Sequence, residues 1–363
     1  MAWSLTHAKL HTLLRKRLLL PKGGHLLMAV SGGQDSLCMA KLLVDLQPKW
    51  SWQISMVHCD HQWRKDSTDN ANHVLALAKT WNVPIHIQRA TERLGSEAAA
   101  RQWRYSEFAT VARAQKCDVV VTGHTQSDRA ETVLYNLIRG TGIDGISALP
   151  WHRKIDQHQP PVDLVRPLLD LSRKQTGQFC QQHSLPIWED STNQDLSFRR
   201  NRIRQQLLPY LQTHFNPQVE QALFQMAEIT AVDVQYLTEQ THQLYQQVIT
   251  AHSSSNSWEV NRAQLQIAPL ALQRRVMKQL LQTALPHPPN FQGVEKLVAL
   301  LRAPNGSRTD TYTGGFVAQV RPPQVIPPGN PFSHKRPFKP KDVRAHDELH
   351  RSELVIWLGP VAL

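Results

Sequence analysis

Six residues, Ser31-Gly32-Gly33-Gln34-Asp35-Ser36, lie between an apolar run, Leu26 to Val30, and a helix-patterned segment from Ser36 to Leu46. Two glycines allow a tight turn, and the backbone N–H groups at the helix start converge on a concavity suited to an anion. The Ser31 and Ser36 hydroxyls add donors, and Asp35 is a candidate ligand for a Mg2+ ion that bridges a polyphosphate. A lone Gly-Gly would be an ordinary strand-to-helix turn capped by Ser36. The full six-residue pattern after a strand points instead to nucleotide binding. It is no Walker A loop, because the lysine of GxxxxGK[ST] is missing and none follows until Lys41.

Other polar blocks stand at the ends of further apolar runs. After Ile54 to Val57 come His58, Cys59, Asp60, His61 and Arg64. Two histidines and a cysteine raise a metal site, but no partner motif completes it, so polar side chains facing a cleft read better. Glu97 opens a helix pattern in which Arg101 and Arg104, three apart, share a face. They offer two planar forks for carboxylate or phosphate, or simply face solvent. After Asp118 to Thr122 come His124, Asp128 and Glu131. The i,i+3 spacing puts both carboxylates on one face near a helix start, where they meet a cationic substrate or merely answer the helix dipole. Arg139 begins a glycine-bearing loop, and Arg199, Arg200, Arg202 and Arg204 form the densest positive charge in the chain. Phosphate contacts along nucleic acid and a solvated arginine face are both open readings of that cluster.

These blocks need a frame that gathers strand ends. Apolar runs at 26–30, 54–57, 83–87 and 118–122 alternate with helix patterns at 36–46, 70–81, 97–116 and 129–138. Such alternation predicts an α/β fold, a doubly wound, mainly parallel sheet whose ligands bind at the C-terminal strand ends. A helix pattern at 7–20 precedes it and reads as part of the fold rather than a cleaved address. From residue 218 the apolar spacing turns helical to 248, followed by a serine-rich break at 253–257 and shorter helices near 269–282 and 291–301. Seven prolines fall between Pro322 and Pro340, and an apolar strand, Leu354 to Leu358, closes the chain.

Composition bounds the function. The 363 residues suggest two or three domains, and 41% hydrophobic content supports a packed core. No stretch has the roughly 18 consecutive apolar residues of a membrane span. Cys38, Cys59, Cys117 and Cys180 show no CxxC spacing, so neither zinc knuckle nor dithiol centre is legible. The net charge of +12 points to a polyanionic partner. Residues 1–215 hold 27 Lys+Arg against 18 Asp+Glu, so most of the surplus sits in the α/β half.

The six-residue turn resembles the PP-loop, SGGxDS, of the ATP pyrophosphatase superfamily. Taken in order with the blocks at 58–64, 97–105, 122–132, 166–169 and 198–204, it resembles the tRNA(Ile)-lysidine synthetase family from Ser31 to about Pro209. The chain departs from that family at Gln62 and Trp63, commonly glycine and leucine, and at Ala148, commonly glycine. The resemblance implies an adenine nucleotide alpha hydrolase-like domain at 1–215, a mainly helical tRNA-binding domain at 216–321 and a proline-rich tail with a terminal strand at 322–363. It also implies a cytoplasmic ligase that uses ATP and Mg2+. The position-2 oxygen of the wobble cytidine in a CAU-anticodon isoleucine tRNA is adenylated, and the ε-amine of free L-lysine then displaces AMP.

On that reading Ser31, Gly32, Gly33, Gln34, Asp35 and Ser36 hold ATP, with Asp35 on the metal. Asp35, Ser36, His124, Asp128 and Glu131 are catalytic candidates, and Arg101, Asp128 and Glu131 are lysine-binding candidates. His61, Arg64, Arg139, Arg199, Arg200, Arg202 and Arg204 are candidates for tRNA. The assembly state is open, a homodimer included. Rival readings are a PP-loop tRNA thiolase, an RNA-binding protein with a vestigial nucleotide site, and a small-molecule synthetase that would leave the arginine cluster unexplained.

Overall fold

A computed structural model describes residues 3–62, 66–92, 95–156, 161–189, 194–253, 255–322 and 355–360. The chain forms two compact units, Met1–Val232 and Asp233–Leu363. The first unit therefore runs beyond residue 215, into a long helix.

The first unit begins with α1 (Leu5–Arg17), β1 (His25–Ala29), α2 (Gln34–Trp50), β2 (Gln53–Asp60), α3 (Ser67–Thr80), β3 (Ile85–Arg89), α4 (Glu97–Ala114), β4 (Val119–Thr122) and α5 (Gln126–Ile138). A short α6 (Ile143–Ile146), β5 (His152–Lys154), β6 (Asp163–Val165) and α7 (Arg173–Gln182) follow. Next come α8 (Arg199–Arg202), a π-helical turn at Ile203–Leu207, α9 (Leu208–His214) and α10 (Val219–Val248). The sheet order is β3-β2-β1-β4-β6-β5. All neighbours are parallel except the β5–β6 pair.

The central strand explains the sequence pattern. Leu26, Leu27 and Met28 are all buried, because helices cover both faces and no alternation survives. Met28 pairs with Met56 of β2 on one side and Val121 of β4 on the other. The strand order reverses at β1, so its carboxyl end opens a crevice between β1 and β4. Helix α2 continues past Leu46 and through Pro48 to Trp50, which is buried and stacks on Trp52 at 5.1 Å. Strands β5 and β6 have three residues each, too short to leave a periodic signature.

The first part of α10 belongs to this unit. Phe224 packs with Leu149, Trp151 and Leu169, while Ala227 packs with Val133 and Ala148. Glu228 then accepts from Arg129 Nη1, from Trp151 Nε1 at 2.8 Å, and pairs with Arg17. Arg129 is fully buried, with Nε donating to the Ala148 carbonyl at 2.9 Å.

The second unit is less helical than expected. After α10 come β7 (Ile249–His252), β8 (Ser257–Asn261), α11 (Arg262–Ile267), α12 (Leu270–Ala284), α13 (Phe291–Ala299), β9 (Phe316–Arg321) and β10 (Val355–Pro360). They include a four-stranded antiparallel sheet, ordered β7-β8-β10-β9. Ser257, the last residue of the serine-rich break, opens β8 and pairs with His252 of β7. The terminal strand is central, with Ile356 and Leu358 fully buried between β8 and β9. Of the proline-rich segment only Pro322 lies among the described residues.

Glu228→Ala removes the carboxylate that answers a buried guanidinium. An uncompensated buried charge costs about 3–5 kcal/mol. Denaturant unfolding of the full chain should show the transition reporting on the α/β unit moved to lower denaturant by that amount. Arg17→Ala, at an exposed partner, should move it far less.

Candidate active site

The six-residue turn leaves β1 and enters α2 with Gly33 as N-cap. Gly32 sits at φ 89°, in the left-handed region that favours glycine. A Cβ there would lie 2.5 Å from Asn70 Oδ1, so the turn is clamped as well as bent. Asn70 Nδ2 donates to the Ser31 carbonyl at 3.1 Å, and the Trp188 N–H donates to the Gly32 carbonyl at 3.0 Å. Ser36 Oγ donates to the Gly33 carbonyl at 2.8 Å and receives the Ser31 N–H at 3.2 Å. Gly123, after β4, brings a second backbone against this one: a Cβ on it would lie 2.7 Å from the Asp35 carbonyl oxygen.

Helix α7 fixes the far side of the turn. Thr176 Oγ1 donates to Asp35 Oδ1, and Arg173 Nη1 stands 3.4 Å from Asp35 Oδ2. Gln34 Nε2 donates to the Arg173 carbonyl at 2.7 Å and to Thr176 Oγ1 at 2.9 Å. The Gln34 side chain thus ties the turn to α7. Behind it Cys180 donates to the Gln34 carbonyl at 3.3 Å and meets Cys38, so the fold brings together two cysteines that spacing keeps apart. The hydrogen bond with this neighbour, and then burial, push the Cys38 thiol far up.

Carboxylates crowd the adjoining wall. Asp128 closes a capping box at the start of α5, its Oδ2 accepting the Thr125 N–H at 2.8 Å and hydroxyl at 2.9 Å. Arg204 holds Glu131 with two bonds, 2.6 and 2.9 Å, and stands 3.4 Å from Asp128 Oδ1. Burial, then the Asp128 charge, raises the Asp35 carboxyl above the usual aspartate value despite Arg173, Thr176 and Arg204. Burial likewise raises Glu131, against the pull of Arg204.

A cavity of about 440 Å³ opens at these strand ends, lined by Ser31, Gly33, Gln34, Asp35, Ser36, His58, Asp60, His61, Asn70, His124, Asp128 and Trp188. Arg101, Arg104, Arg173 and Arg200 line it too, so guanidinium groups and carboxylates share one space. Burial, and then Arg166, lowers His124 to about 3, and Nδ1 shares a 2.9 Å bond with Thr122 Oγ1. His124 is therefore neutral across the physiological range. Burial works to raise Tyr105, but Arg101, Arg166 and Arg153 together bring its hydroxyl below the usual tyrosine value. Burial pushes the Cys59 thiol, also in this lining, up to about 12.

The fold gathers most of the expected residues and redirects some. Ser31 to Ser36, His61, Arg101, His124, Asp128 and Arg200 reach the cavity or its turn. Glu131, a lysine-binding candidate, is buried with both oxygens on Arg204, a tRNA candidate, and neither side chain is among those that line the cavity. Arg139, Arg199 and Arg202 line a separate surface cavity. Arg64 and Trp63 lie outside the described residues. Gln62 takes φ 53°, the conformation that a glycine would adopt freely, held by its N–H on Asp60 Oδ1 at 2.9 Å. Ala148 is a core position against Val133 and Ala227. Arg173, Thr176, Asn70 and Trp188 carry no local motif, and only the three-dimensional approach to the turn reveals them.

Comparison with known proteins agrees with this geometry. A model of the PP-loop domain matches residues 5–211. A tRNA(Ile)-lysidine synthase of Nostoc sp. is 52% identical over 90% of this chain and 97% of its own length. Another, of Synechocystis sp., is 45% identical over 88% and 96%. Among solved structures a U34-tRNA thiolase from Methanococcus maripaludis with its [4Fe-4S] cluster aligns at a TM-score of 0.53. At 18% identity, over 62% of this chain and 78% of that one, it shares the fold alone. Among the described residues no three His, Cys, Asp or Glu side chains form a metal-holding group, and no helix is long and apolar enough to cross a membrane.

Asp35 lends itself to a pH test. Its folded pKa lies above the unfolded value of about 3.9, so the ionised form costs stability at every pH above the folded value. That cost fades as pH falls through the folded value and is gone below the unfolded one. Asp35→Asn keeps an acceptor for Thr176 without the charge. Its melting temperature should exceed wild type at pH 7, with the gap closing toward pH 4. A variant less stable than wild type at pH 7 would show that the charge is net stabilising.

Proposed function

From the premise that this chain belongs to the PP-loop family and, within it, to the tRNA(Ile)-lysidine synthases, we propose how its cavity carries out the reaction. The protein is an ATP-using ligase that modifies tRNA(Ile) to lysidine. The observation that carries the residue assignment is that one cavity is lined by the PP-loop, by Asp128 and by the Arg101, Arg104 and Arg200 guanidiniums.

A cytidine carbonyl oxygen is a poor nucleophile, and its carbon is a poor electrophile until that oxygen becomes a leaving group. The PP-loop N–H groups and the Ser31 and Ser36 hydroxyls hold the β- and γ-phosphates, so the wobble cytidine oxygen attacks the α-phosphorus in line and pyrophosphate departs. Asp35, whose charge is disfavoured by burial and by the neighbouring Asp128, suits a hard cation that completes its shell from phosphate and water. Asp35 would hold Mg2+, which neutralises charge developing on the pyrophosphate.

Free L-lysine, whose ammonium has a solution pKa of about 10.4, needs both ends recognised. Arg101 takes the α-carboxylate, and the open side of Asp128 takes the ε-amine and accepts its proton. Arg204 and Glu131 act from behind, keeping Asp128 in place through the 3.4 Å contact. His124, uncharged, hydrogen-bonds rather than shuttles protons. The amine then attacks the activated carbon, and AMP leaves. Arg200 and His61 face the anticodon from the cavity rim. A cytoplasmic site accords with tRNA as acceptor. Sulfur delivery fits less well, because burial keeps the Cys59 thiol protonated.

The test supplies ATP, labelled lysine and an unmodified CAU-anticodon isoleucine transcript. Label should enter the RNA. Ser36→Ala should slow AMP release roughly 100-fold while tRNA binding stays within about twofold. Asp128→Asn should raise the KM for lysine roughly 10- to 100-fold, the worth of a charged hydrogen bond. Sulfur entering the RNA from a donor, with no lysine, would overturn the assignment.

A further inference from the structure

A second open cavity, of about 600 Å³, is lined by Tyr135, Ile138, Arg139, Arg199, Arg202 and Tyr210. Arg199 and Arg200 are consecutive on α8, yet Arg199 lines this cavity and Arg200 the reaction cavity. Ile138 and Tyr210 are 67% and 55% exposed, a large apolar and aromatic area left to solvent beside three cations. The face of Tyr135 is already occupied: Arg139 and Arg200 lie over its ring at 5.3 and 6.0 Å. Tyr210 touches His214, at 4.5 Å between ring centroids, and Phe215, at 5.9 Å, and still leaves more than half of its surface to solvent.

Ordinary helical phase makes this division: Arg200 and Arg204, four apart, lie on the side of the reaction cavity and Glu131, while Arg199 and Arg202, three apart, line the cavity with Tyr210. The segment continues as a π-helical turn at Ile203–Leu207. Such turns recur at functional sites. Aromatic rings interleaved with guanidinium groups match unstacked nucleic acid, whose bases stack while their phosphates are neutralised.

We propose that this cavity receives one unstacked nucleobase of the anticodon loop, next to the target cytidine, on Tyr210, with Arg139, Arg199 and Arg202 on its flanking phosphates. The proposal rests on the function argued above and adds a specificity-determining contact to it. Holding a neighbouring base out of the stack frees the target base to enter the reaction cavity, and the unstacking cost is offset on a surface separate from the chemistry.

The experiment places 2-aminopurine, one position at a time, on either side of the target cytidine in the full transcript and adds the full-length protein. One position should lose fluorescence on binding. Tyr210→Ala should abolish that change and weaken tRNA binding roughly tenfold, within the range for one base–aromatic stack. Tyr210→Phe should keep both, and ATP affinity should not move in either variant. An abasic nucleotide at the responding position should cost wild type about the same and Tyr210→Ala almost nothing further. Wild-type tRNA affinity in Tyr210→Ala, or loss of a dimer in sedimentation instead, overturns the pocket. Lysine transfer by wild type is scored separately, so its absence would sink the function above while the fluorescence still decides the pocket.

Discussion

Three carboxylates, Asp35, Asp128 and Glu131, meet where little water reaches them, and the neighbouring segments are arranged around making that tolerable. Uncompensated, such a cluster would protonate or unfold the site. Arg204 supplies a bidentate answer to Glu131, and Arg173 with Thr176 answers Asp35. Those three residues come from segments far along the chain, α7 and the π-helical turn. The active turn is therefore completed only when the sheet has formed and the later helices have docked onto it. Because the compensation is partial, the carboxyl of Asp35 remains above its ordinary value, ready to gain from a bound cation.

The same economy shapes the cavity. At the switch point beside β1, two backbones approach until Gly123 has no room for a side chain, which brings the PP-loop and the start of α5 to one opening. Guanidiniums from α4, α7 and α8 line it together with the carboxylates. A polyanion and a zwitterionic amine can share such a space, each against its own sign. One short helix, α8, serves both sides of the recognition problem: Arg200 faces the chemistry, while its neighbours Arg199 and Arg202 face the aromatic surface. The positive charge of this segment is thus divided by helical phase, part paired with carboxylates and part left on the surface.

Much of this was legible without coordinates. The alternation of buried runs and amphipathic helices carries the doubly wound sheet, because a strand covered on both faces must be apolar throughout. The PP-loop is local in sequence, so its glycines, hydroxyls and Asp35 could be read together, and the i,i+3 pair of Asp128 and Glu131 could be placed near a helix start. What that spacing could not decide was which of the two acids lines the cavity. The four arginines at 199–204 looked alike as charges, yet one is a half-buried partner of Glu131, one lines the cavity, and two are surface groups.

The sequence by itself determined the fold class, the nucleotide turn and the order of the polar blocks, since each depends on neighbours within one turn of helix or one strand. Only the tertiary structure decided the partners of Asp35, the retreat of Glu131 behind Arg204 and the short strands β5 and β6. It also decided the sheet of the second unit, whose central strand arrives from the end of the chain. Ion pairing and burial are set by which surfaces meet, and long-range contact leaves no period in the sequence for a local reading to find.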